Sequence, residues 1–339
     1  MWRVLRGDGT VWLNLGDSYA RNPRRGVKFQ GGNECISDRQ SIEENRGPSI
    51  PSGLKEKDLV MVPARVALAL QAEGWWVRSD IVWAKPNCLP ESVTDRPTKA
   101  HEYVFLMAKS RRYFYDQDAI REPQAEASVA RAQRADWRLK PGWAEAYHGD
   151  PPQGLARQSE RDVSVGRNRR TVWHVPTYPY SGAHFATFPP DLITPMILAG
   201  TSQRGVCPVC GAPWERVVEK VFVPQPDIRN QERLVRSPEG LDPSNGWAGS
   251  RRGSVRTVTV GWQPICDHDA EPIPAVVADP FCGTGTAGEV CRRSGRRFVG
   301  LDLSGAYLRD LALPRAERKT PARALEALPL FARNVEGRA

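Results

Sequence analysis

Long apolar segments are missing from this chain of 339 residues. No apolar run approaches the ~18 residues that a bilayer-spanning helix needs. The first residues also lack the basic stretch followed by an apolar stretch that marks a secretory signal. The sequence therefore gives no reason to expect a membrane protein, and it predicts a cytoplasmic location.

The cysteine pattern does not indicate a disulfide framework. The chain has seven cysteines, an odd number, and two of them, Cys282 and Cys291, lie in a glycine-rich segment near the C-terminus. Small secreted domains stapled by disulfides use even sets of cysteines at regular spacing. Metal binding is the alternative role for other cysteines of the chain.

Acidic residues are fewer than basic ones. The chain has 39 Asp and Glu against 48 Lys and Arg, a formal net charge of +9. Such an excess favours a polyanionic partner, because each neutralised phosphate releases counterions. The length predicts roughly two domains, at about 150 residues per domain.

The most informative segment is Val276–Thr286, whose pattern predicts a strand that ends in a glycine-rich loop. Small residues from Gly283 onward let the backbone turn sharply against a ligand before a helix begins near Ala287. A second strand, Arg297–Asp302, follows and ends in a carboxylate that could accept hydrogen bonds from both ribose hydroxyls. Together these elements predict a βαβ unit that binds an adenosine-bearing cofactor.

The same loop also fits the dinucleotide pattern G-x-G-x-x-G at Gly283–Gly288, so a nicotinamide-dependent oxidoreductase is an alternative. Little more than thirty residues follow Asp302, too few for the remaining strands of a dinucleotide-binding sheet. The sheet must therefore use strands from upstream.

Upstream patterns supply those elements. Thr10–Leu15 alternates like a strand, and a helix is predicted from Pro63 to a C-terminal cap at Gly74. Trp76–Trp83 and Tyr103–Ala108 are predicted as an antiparallel pair joined by a long loop.

Residues 121–170 have a low apolar content and many arginines. Trp137 and Trp143 lie among them, and flat aromatic rings interleaved with guanidinium groups suit bases and phosphates. The alternative is a solvated insertion without a ligand. The candidate DNA-binding residues are Arg131, Arg134, Arg138, Arg167, Arg169 and Arg170.

A second candidate site is a zinc knuckle. Cys207 and Cys210 form a C-x-x-C-G turn, and Cys266 and His268 supply two further ligands. We predict a structural zinc, and the alternative is two reduced turns without metal. A catalytic zinc deaminase is disfavoured, because no H-x-E stands upstream of the P-C-x-x-C sequence.

Taken in order, these motifs resemble the amino-methylating DNA methyltransferases, in the permuted group whose cofactor motif lies last. The matching segments are Asp8–Tyr19, Trp83–Asn87, His101–Tyr103, His184–Pro189, Asp279–Thr286 and Phe298–Asp302. These short segments are distributed along nearly the whole chain.

The resemblance implies an α/β fold of the Rossmann-like S-adenosylmethionine-dependent class, with a seven-stranded, mostly parallel sheet, one antiparallel strand and helices on both faces. The exocyclic amine of a flipped-out base attacks the sulfonium methyl group directly. Double-stranded DNA is the implied partner, and the target is cytosine N4 or adenine N6, of which we slightly favour cytosine. The implied cofactor-binding residues are His184, Phe185, Ala186, Thr187, Asp279, Pro280, Phe281, Gly283, Gly285, Thr286 and Asp302.

The resemblance also divides the chain into five predicted segments. They are a catalytic half (1–120), a target-recognition insertion (121–175), a methionine-pocket segment (176–205), a zinc-knuckle insertion (206–270) and a cofactor half with the tail (271–339). The oligomeric state stays open.

One family feature is missing: the tetrapeptide of Asp, Asn or Ser followed by Pro-Pro and Tyr or Phe, which accepts the amine protons. The sequence does not contain it. Asp17 and Tyr19 are the remaining catalytic candidates. We expect that the native gene product starts upstream of Met1; the alternative is a remnant that binds DNA without transferring methyl groups.

Overall fold

The computed structural model describes residues 1–21, 50, 53–127, 166–177, 187–224 and 253–317. Contacts divide the chain into two units. Unit 1 contains residues 1–113 and 171–179, and unit 2 contains residues 114–170 and 180–339. Among the predicted site residues, Arg131, Arg134 and Arg138 lie outside the described residues, as do His184, Phe185 and Ala186.

Unit 1 is built on a four-stranded sheet in the order β1-β3-β2-β4. Its strands are β1 (Thr10–Leu15), β2 (Trp76–Ala84), β3 (His101–Ala108) and β4 (Val172–His174). β3 runs antiparallel to both β1 and β2, and β2 runs parallel to β4. The predicted antiparallel pair is therefore confirmed, and β3 is the one strand of this sheet that runs against the others.

The helix of unit 1, α1 (Val62–Ala72), begins and ends where its sequence predicts. Pro63 occupies the first turn, where its missing N–H costs no hydrogen bond. Gly74 follows the helix with a φ of 94°, and its N–H donates to Gln71 O. The core between helix and sheet contains Ala67, Phe105 and Met107.

Unit 2 contains a helix, a hairpin and a parallel βαβ unit. They are α2 (Pro190–Gly200), β5 (Trp214–Pro224), β6 (Gly253–Pro264), β7 (Val276–Asp279), α3 (Thr286–Arg293) and β8 (Arg297–Gly300), followed by a π-helical turn (Tyr307–Ala312) and α4 (Leu313–Glu317). A 3-10 turn covers Asp118–Ile120. β5 and β6 pair antiparallel, and β7 and β8 pair parallel. The parallel pair confirms the predicted βαβ unit, although β8 ends at Gly300, two residues before Asp302.

The expected single sheet of seven strands is not found within the described ranges. Of the strands described, β1 pairs only with β3, and β7 pairs only with β8. A sheet extends only where a neighbouring strand satisfies its backbone N–H and C=O groups.

Helices on both faces of the parallel pair are likewise not found within those ranges. α3 covers one face, and Gly288 of α3 packs against the Phe298 ring. On the other face Val276, Val299 and Leu301 remain 50–53% exposed. Parallel strands are usually buried on both faces.

No helix in the described ranges is long and apolar enough to cross a lipid bilayer.

Candidate functional site

The loop between β7 and α3 requires glycine at its turning point. Gly285 has a φ of 75°, in the left-handed region, and a Cβ atom there would lie 2.8 Å from Ala312 Cα and 2.9 Å from Ala312 O. Both obstacles are backbone atoms that cannot swing aside, so any side chain would strain the loop. The glycine pattern thus predicted a real conformational requirement.

Two carboxylates lie at the carboxyl ends of the parallel strands. Asp279 ends β7, and its Oδ1 accepts a hydrogen bond from Phe281 N at 3.0 Å. Asp302 accepts from Gly283 N at 3.0 Å through Oδ2 and from Ser304 N at 2.8 Å through Oδ1. Asp302 therefore ties the glycine loop to the segment that follows β8. This arrangement places acceptors where a ligand meets a parallel βαβ unit.

Burial raises the pKa of Asp279 above its ordinary value, and the neighbouring charge of Asp302 adds to the effect. The hydrogen bond from Phe281 acts in the opposite direction without cancelling it. A carboxylate in this state is stabilised by any cationic group brought close to it. Burial, followed by the charges of Asp279 and Asp302, also raises the pKa of the Cys282 thiol in the loop.

Hydrogen bonds from one side chain of α4 connect this helix to the glycine loop and to the start of α3. Arg315 donates from Nε to Glu289 Oε2 at 2.6 Å, and from Nη1 to Thr286 Oγ1 at 2.8 Å and Thr284 Oγ1 at 3.0 Å. Both threonines are only 2% exposed. Sequence reasoning missed Arg315, because it lies some thirty residues beyond the loop and no spacing rule connects them.

The other predicted loop residues differ in their surroundings. The Phe281 side chain is 84% exposed, whereas Gly283 and Thr286 are buried. Thr187, the only described member of the predicted methionine-pocket set, lies half-buried two residues before Pro189, which caps α2. The described residues thus bring Asp279, Asp302 and the glycine loop together.

This site lies within the match to a family model described as a DNA methylase of the N6 and N4 type, which covers residues 1–208 and 272–313. The two matched segments contain well over half of the chain. The chain belongs to this DNA methylase family. The family assignment disfavours the nicotinamide alternative.

Curated relatives of this methylase are type II methyltransferases. M.Cfr9I of Citrobacter freundii is 33% identical over 93% of this chain, and M.SmaI of Serratia marcescens is 38% identical over 60%. M.XycI of Xanthomonas campestris pv. cyanopsidis is 32% identical over 90%. The chain spans 67%, 56% and 64% of the lengths of these three relatives, respectively.

The solved structures that this chain matches include the cytosine-N4-specific PvuII DNA methyltransferase, at 14% identity and a TM-score of 0.41. That match covers 98% of this chain and 72% of the other. TTHA0409 of Thermus thermophilus, solved with S-adenosyl-L-methionine, matches at 17% identity and a TM-score of 0.39. This match covers 95% of our chain and 74% of the TTHA0409 chain.

In unit 1 the methylase uses Asp17 and Tyr19 for local contacts. Asp17 Oδ1 accepts from Val62 N at 3.0 Å, at the start of α1, and its side chain is 3% exposed. Lys99 Nζ lies 3.7 Å from Asp17 Oδ2. The Arg96 guanidinium stacks over the Tyr19 ring at 3.8 Å. These contacts favour structural roles for both residues.

Residues from three of the matching segments meet at one end of the unit 1 sheet. Lys85 forms an ion pair with Glu102, whose other carboxylate oxygen accepts from Asn14 Nδ2 at 3.1 Å. Asn87 exchanges two hydrogen bonds with the Thr177 backbone, at 2.8 and 3.0 Å. Sequence reasoning identified the segments but not this polar network, since its members are up to 90 residues apart.

Two of the predicted DNA-binding arginines pair with one carboxylate. Arg167 Nε and Arg170 Nε lie 3.2 and 3.0 Å from Glu122 Oε2. Partial burial acts to raise the pKa of Glu122, but the hydrogen bonds and charge of Arg170, with the charge of Arg167, outweigh it and lower that pKa. Burial lowers the pKa of Arg169.

The predicted metal ligands come together in unit 2. The thiols of Cys207, Cys210 and Cys266 and the imidazole of His268 have donor atoms that all lie within 4.8 Å of one another. Cys207 is buried, while Cys210 and His268 are exposed. Backbone N–H groups of Cys210 and Val209 are directed at the Cys207 thiol and lower its pKa.

Proposed function

We propose that this methylase transfers a methyl group from S-adenosylmethionine to an exocyclic amine of double-stranded DNA, with cytosine N4 slightly preferred over adenine N6. The observation that carries the proposal is the glycine loop flanked by Asp279 and Asp302 at the carboxyl ends of two adjacent parallel strands. Such an end is where α/β proteins bind nucleotide cofactors.

The acceptor capacity of the site suits this cofactor. Each carboxylate offers about four lone-pair positions, and the hydrogen bonds described for Asp302 use two of them. Asp302 can therefore still accept from ribose hydroxyls. Asp279, whose pKa is raised by burial, suits the cationic methionine end of the cofactor.

The bound cofactor would supply an activated methyl group, and the chain's residues would orient it. Alignment of the amine with that methyl group is the main contribution expected of the protein. The reaction needs acceptors for the amine protons, a role that the resemblance gives to the tetrapeptide. The predicted zinc has no step in this reaction, because four protein ligands leave no open coordination position.

DNA binding is supported by charge. The chain carries a net charge of +9, and its arginines, Arg167 and Arg170 among them, have planar guanidinium groups that suit contacts with phosphate oxygens. Contacts of this kind bind phosphates without reading the base sequence. We expect the affinity for double-stranded DNA to fall steeply with salt concentration.

The decisive test combines binding with product analysis. S-Adenosylmethionine and its demethylated product, but not NAD, should raise the melting temperature of the protein. Incubation with labelled S-adenosylmethionine and DNA should then give N4-methylcytosine in the digested DNA, identified by mass spectrometry. N6-methyladenine would reverse the base preference alone, whereas stabilisation by NAD only would overturn the proposal.

A second function, binding of cofactor and DNA without methyl transfer, is favoured by one observation. The 339 residues contain no Asp-, Asn- or Ser-Pro-Pro-Tyr or -Phe sequence. The two functions differ in one readout: the second predicts salt-sensitive DNA binding and cofactor stabilisation with no label in the DNA. Supplying a longer reading frame that encodes the tetrapeptide would restore transfer if its absence is the cause.

A further inference from the structure

The Cys3His cluster has the spacing of a tetrahedral metal site. Zinc–sulfur bonds of roughly 2.3 Å place tetrahedral ligands about 3.8 Å apart, and the four donor atoms here all lie within 4.8 Å of one another. No disulfide joins Cys207, Cys210 or Cys266 in the described residues. One ion could therefore reach all four donors with small side-chain adjustments.

The first ligand pair is held by backbone geometry. Gly211 N donates to Cys207 O at 2.8 Å, and Cys207 N donates to Ala212 O at 2.8 Å. Gly211 has a φ of 73°, which a residue with a side chain rarely adopts. These two hydrogen bonds and the conformation of Gly211 define the tight turn that brings Cys207 and Cys210 together.

The second ligand pair is brought to the first by flanking strands. On one side, β5 pairs with β6 so that Trp214 lies opposite Pro264, two residues before Cys266. On the other side, Val206 and Ile273 exchange backbone hydrogen bonds of 2.8 and 2.9 Å. Both segments are fixed at points beside the cluster, so the convergence of the four ligands is a property of the fold.

Cys207 is buried, but much of the chain around the cluster is exposed. Val209 is 65% exposed and Ile265 is 47% exposed, and Cys210 and His268 lie at the surface. Short loops without an apolar core are commonly stabilised by a metal, whose binding energy then becomes folding energy. A metal bound by the cluster would therefore stabilise loops that are largely exposed to solvent.

We propose that Cys207, Cys210, Cys266 and His268 bind one structural Zn²⁺ that closes the insertion separating the two family segments. The family match stops at residue 208 and resumes at 272, so the ion would join the two ends of an element that the family model does not describe. Soft thiolate ligands favour zinc over hard cations, and four protein ligands leave no position for a substrate. The site acts on the fold of unit 2 and is independent of the methyl-transfer proposal.

Metal analysis tests the site directly. Protein purified without a histidine tag or chelator should contain about one zinc per chain. Cys210→Ser and His268→Ala should each lose most of that zinc, whereas Cys88→Ser, a cysteine outside the cluster, should keep it. Removal of the metal should increase amide exchange in residues 205–214 and 264–273. The ion pair between Arg216 and the buried Asp116, at 2.8 Å, should still hold the start of β5 in place.

Cobalt substitution keeps the test informative where a variant fails to fold. Wild-type protein reconstituted with Co²⁺ under anaerobic conditions should show thiolate-to-cobalt charge-transfer bands and the strong visible bands of tetrahedral coordination. Zinc below about half an equivalent, both as purified and after reconstitution, would overturn the proposal. Loss of zinc from Cys88→Ser as large as from Cys210→Ser, or cobalt spectra without thiolate bands, would also overturn it.

Discussion

The sheet of unit 1 and the parallel pair of unit 2 are stabilised in different ways. β3 in unit 1 has a hydrogen-bonded strand on each side and buries every residue from Val104 to Ala108. β7 in unit 2 pairs only with β8 among the described strands, and no residue of either strand is fully buried. In unit 1 the central strand is therefore fixed by apolar burial, whereas the glycine loop beside the more exposed strands β7 and β8 is fixed by additional means.

Those means are glycine geometry and buried polar contacts. The loop threonines are 2% exposed and are held by Arg315. Arg296, 8% exposed, donates to Thr201 Oγ1 at 3.1 Å and Thr201 O at 3.2 Å, and so ties the start of β8 to the end of α2. Burial lowers the pKa of Arg296. The glycine loop and the start of β8 are thus fixed by directional contacts.

The largest effect is expected from Met107→Ala in unit 1. Met107 is 1% exposed in the core against α1, and truncating a buried methionine costs roughly 2–5 kcal/mol. Denaturant unfolding followed by hydrogen exchange should show the loss in β1–β3, with cofactor affinity unchanged in the folded protein. Leu68→Ala, at a side chain that is 65% exposed on α1, should change stability by less than about 0.5 kcal/mol.

In unit 2 the corresponding change is Gly285→Ala. The left-handed conformation costs about 1–2 kcal/mol for a residue with a side chain, and overlap with the Ala312 backbone adds roughly 1–3 kcal/mol. Calorimetry should show loss of S-adenosylmethionine binding. Gly295→Ala is the matched control, since its φ is 70° but a Cβ atom meets nothing within 4 Å. Equal effects of the two changes would show that overlap with Ala312 is unimportant.

Arg315→Ala should have a smaller effect, and we expect that effect mainly on the affinity for S-adenosylmethionine. Loss of charge-assisted hydrogen bonds costs roughly 1.5–3 kcal/mol, and we expect the dissociation constant for S-adenosylmethionine to rise about tenfold. Arg315→Lys should recover part of the affinity, because lysine keeps the charge but not the forked geometry. Arg309→Ala, on the exposed side of the preceding turn, should bind normally. A drop in melting temperature without any change in the affinity for S-adenosylmethionine would show that Arg315 has only a structural role.

The smallest effect is expected from Asp279→Asn. Because the folded state raises the pKa of Asp279, ionisation destabilises the folded protein, and the wild type should lose stability relative to the variant as pH rises through that raised pKa. The difference should stay within about 1 kcal/mol, while cofactor affinity falls. Urea unfolding between about pH 4 and 8 measures it. Asp310→Asn, at an exposed position, is the matched control.

Local features of the fold could be predicted because neighbouring residues determine them. The strand at Thr10–Leu15, the helix from Pro63 to its cap at Gly74, and the glycine loop all follow from patterns within about a dozen residues. The C-x-x-C-G turn is of the same kind. Each of these depends on backbone conformations that the residue types themselves favour.

Other elements were missed because their partners lie far away in the chain. β4 has three residues and exists through pairing with β2, about ninety residues earlier. The β5–β6 hairpin was not predicted either, although Val217, Val218 and Val221 on β5 favour a strand. Its two strands are separated by residues 225–252, outside the described ranges, and no turn motif in the sequence indicated the pairing.

The sequence alone determined which segments form the glycine loop, the C-x-x-C-G turn and the strands β1, β2, β3, β7 and β8, since these depend on local backbone preferences. The tertiary structure decided which segments meet: Arg315 with the loop threonines, β4 with β2, and separate sheets in place of one. The physical reason is that strand pairing and side-chain hydrogen bonds depend on distances in space, which residue spacing along the chain does not specify.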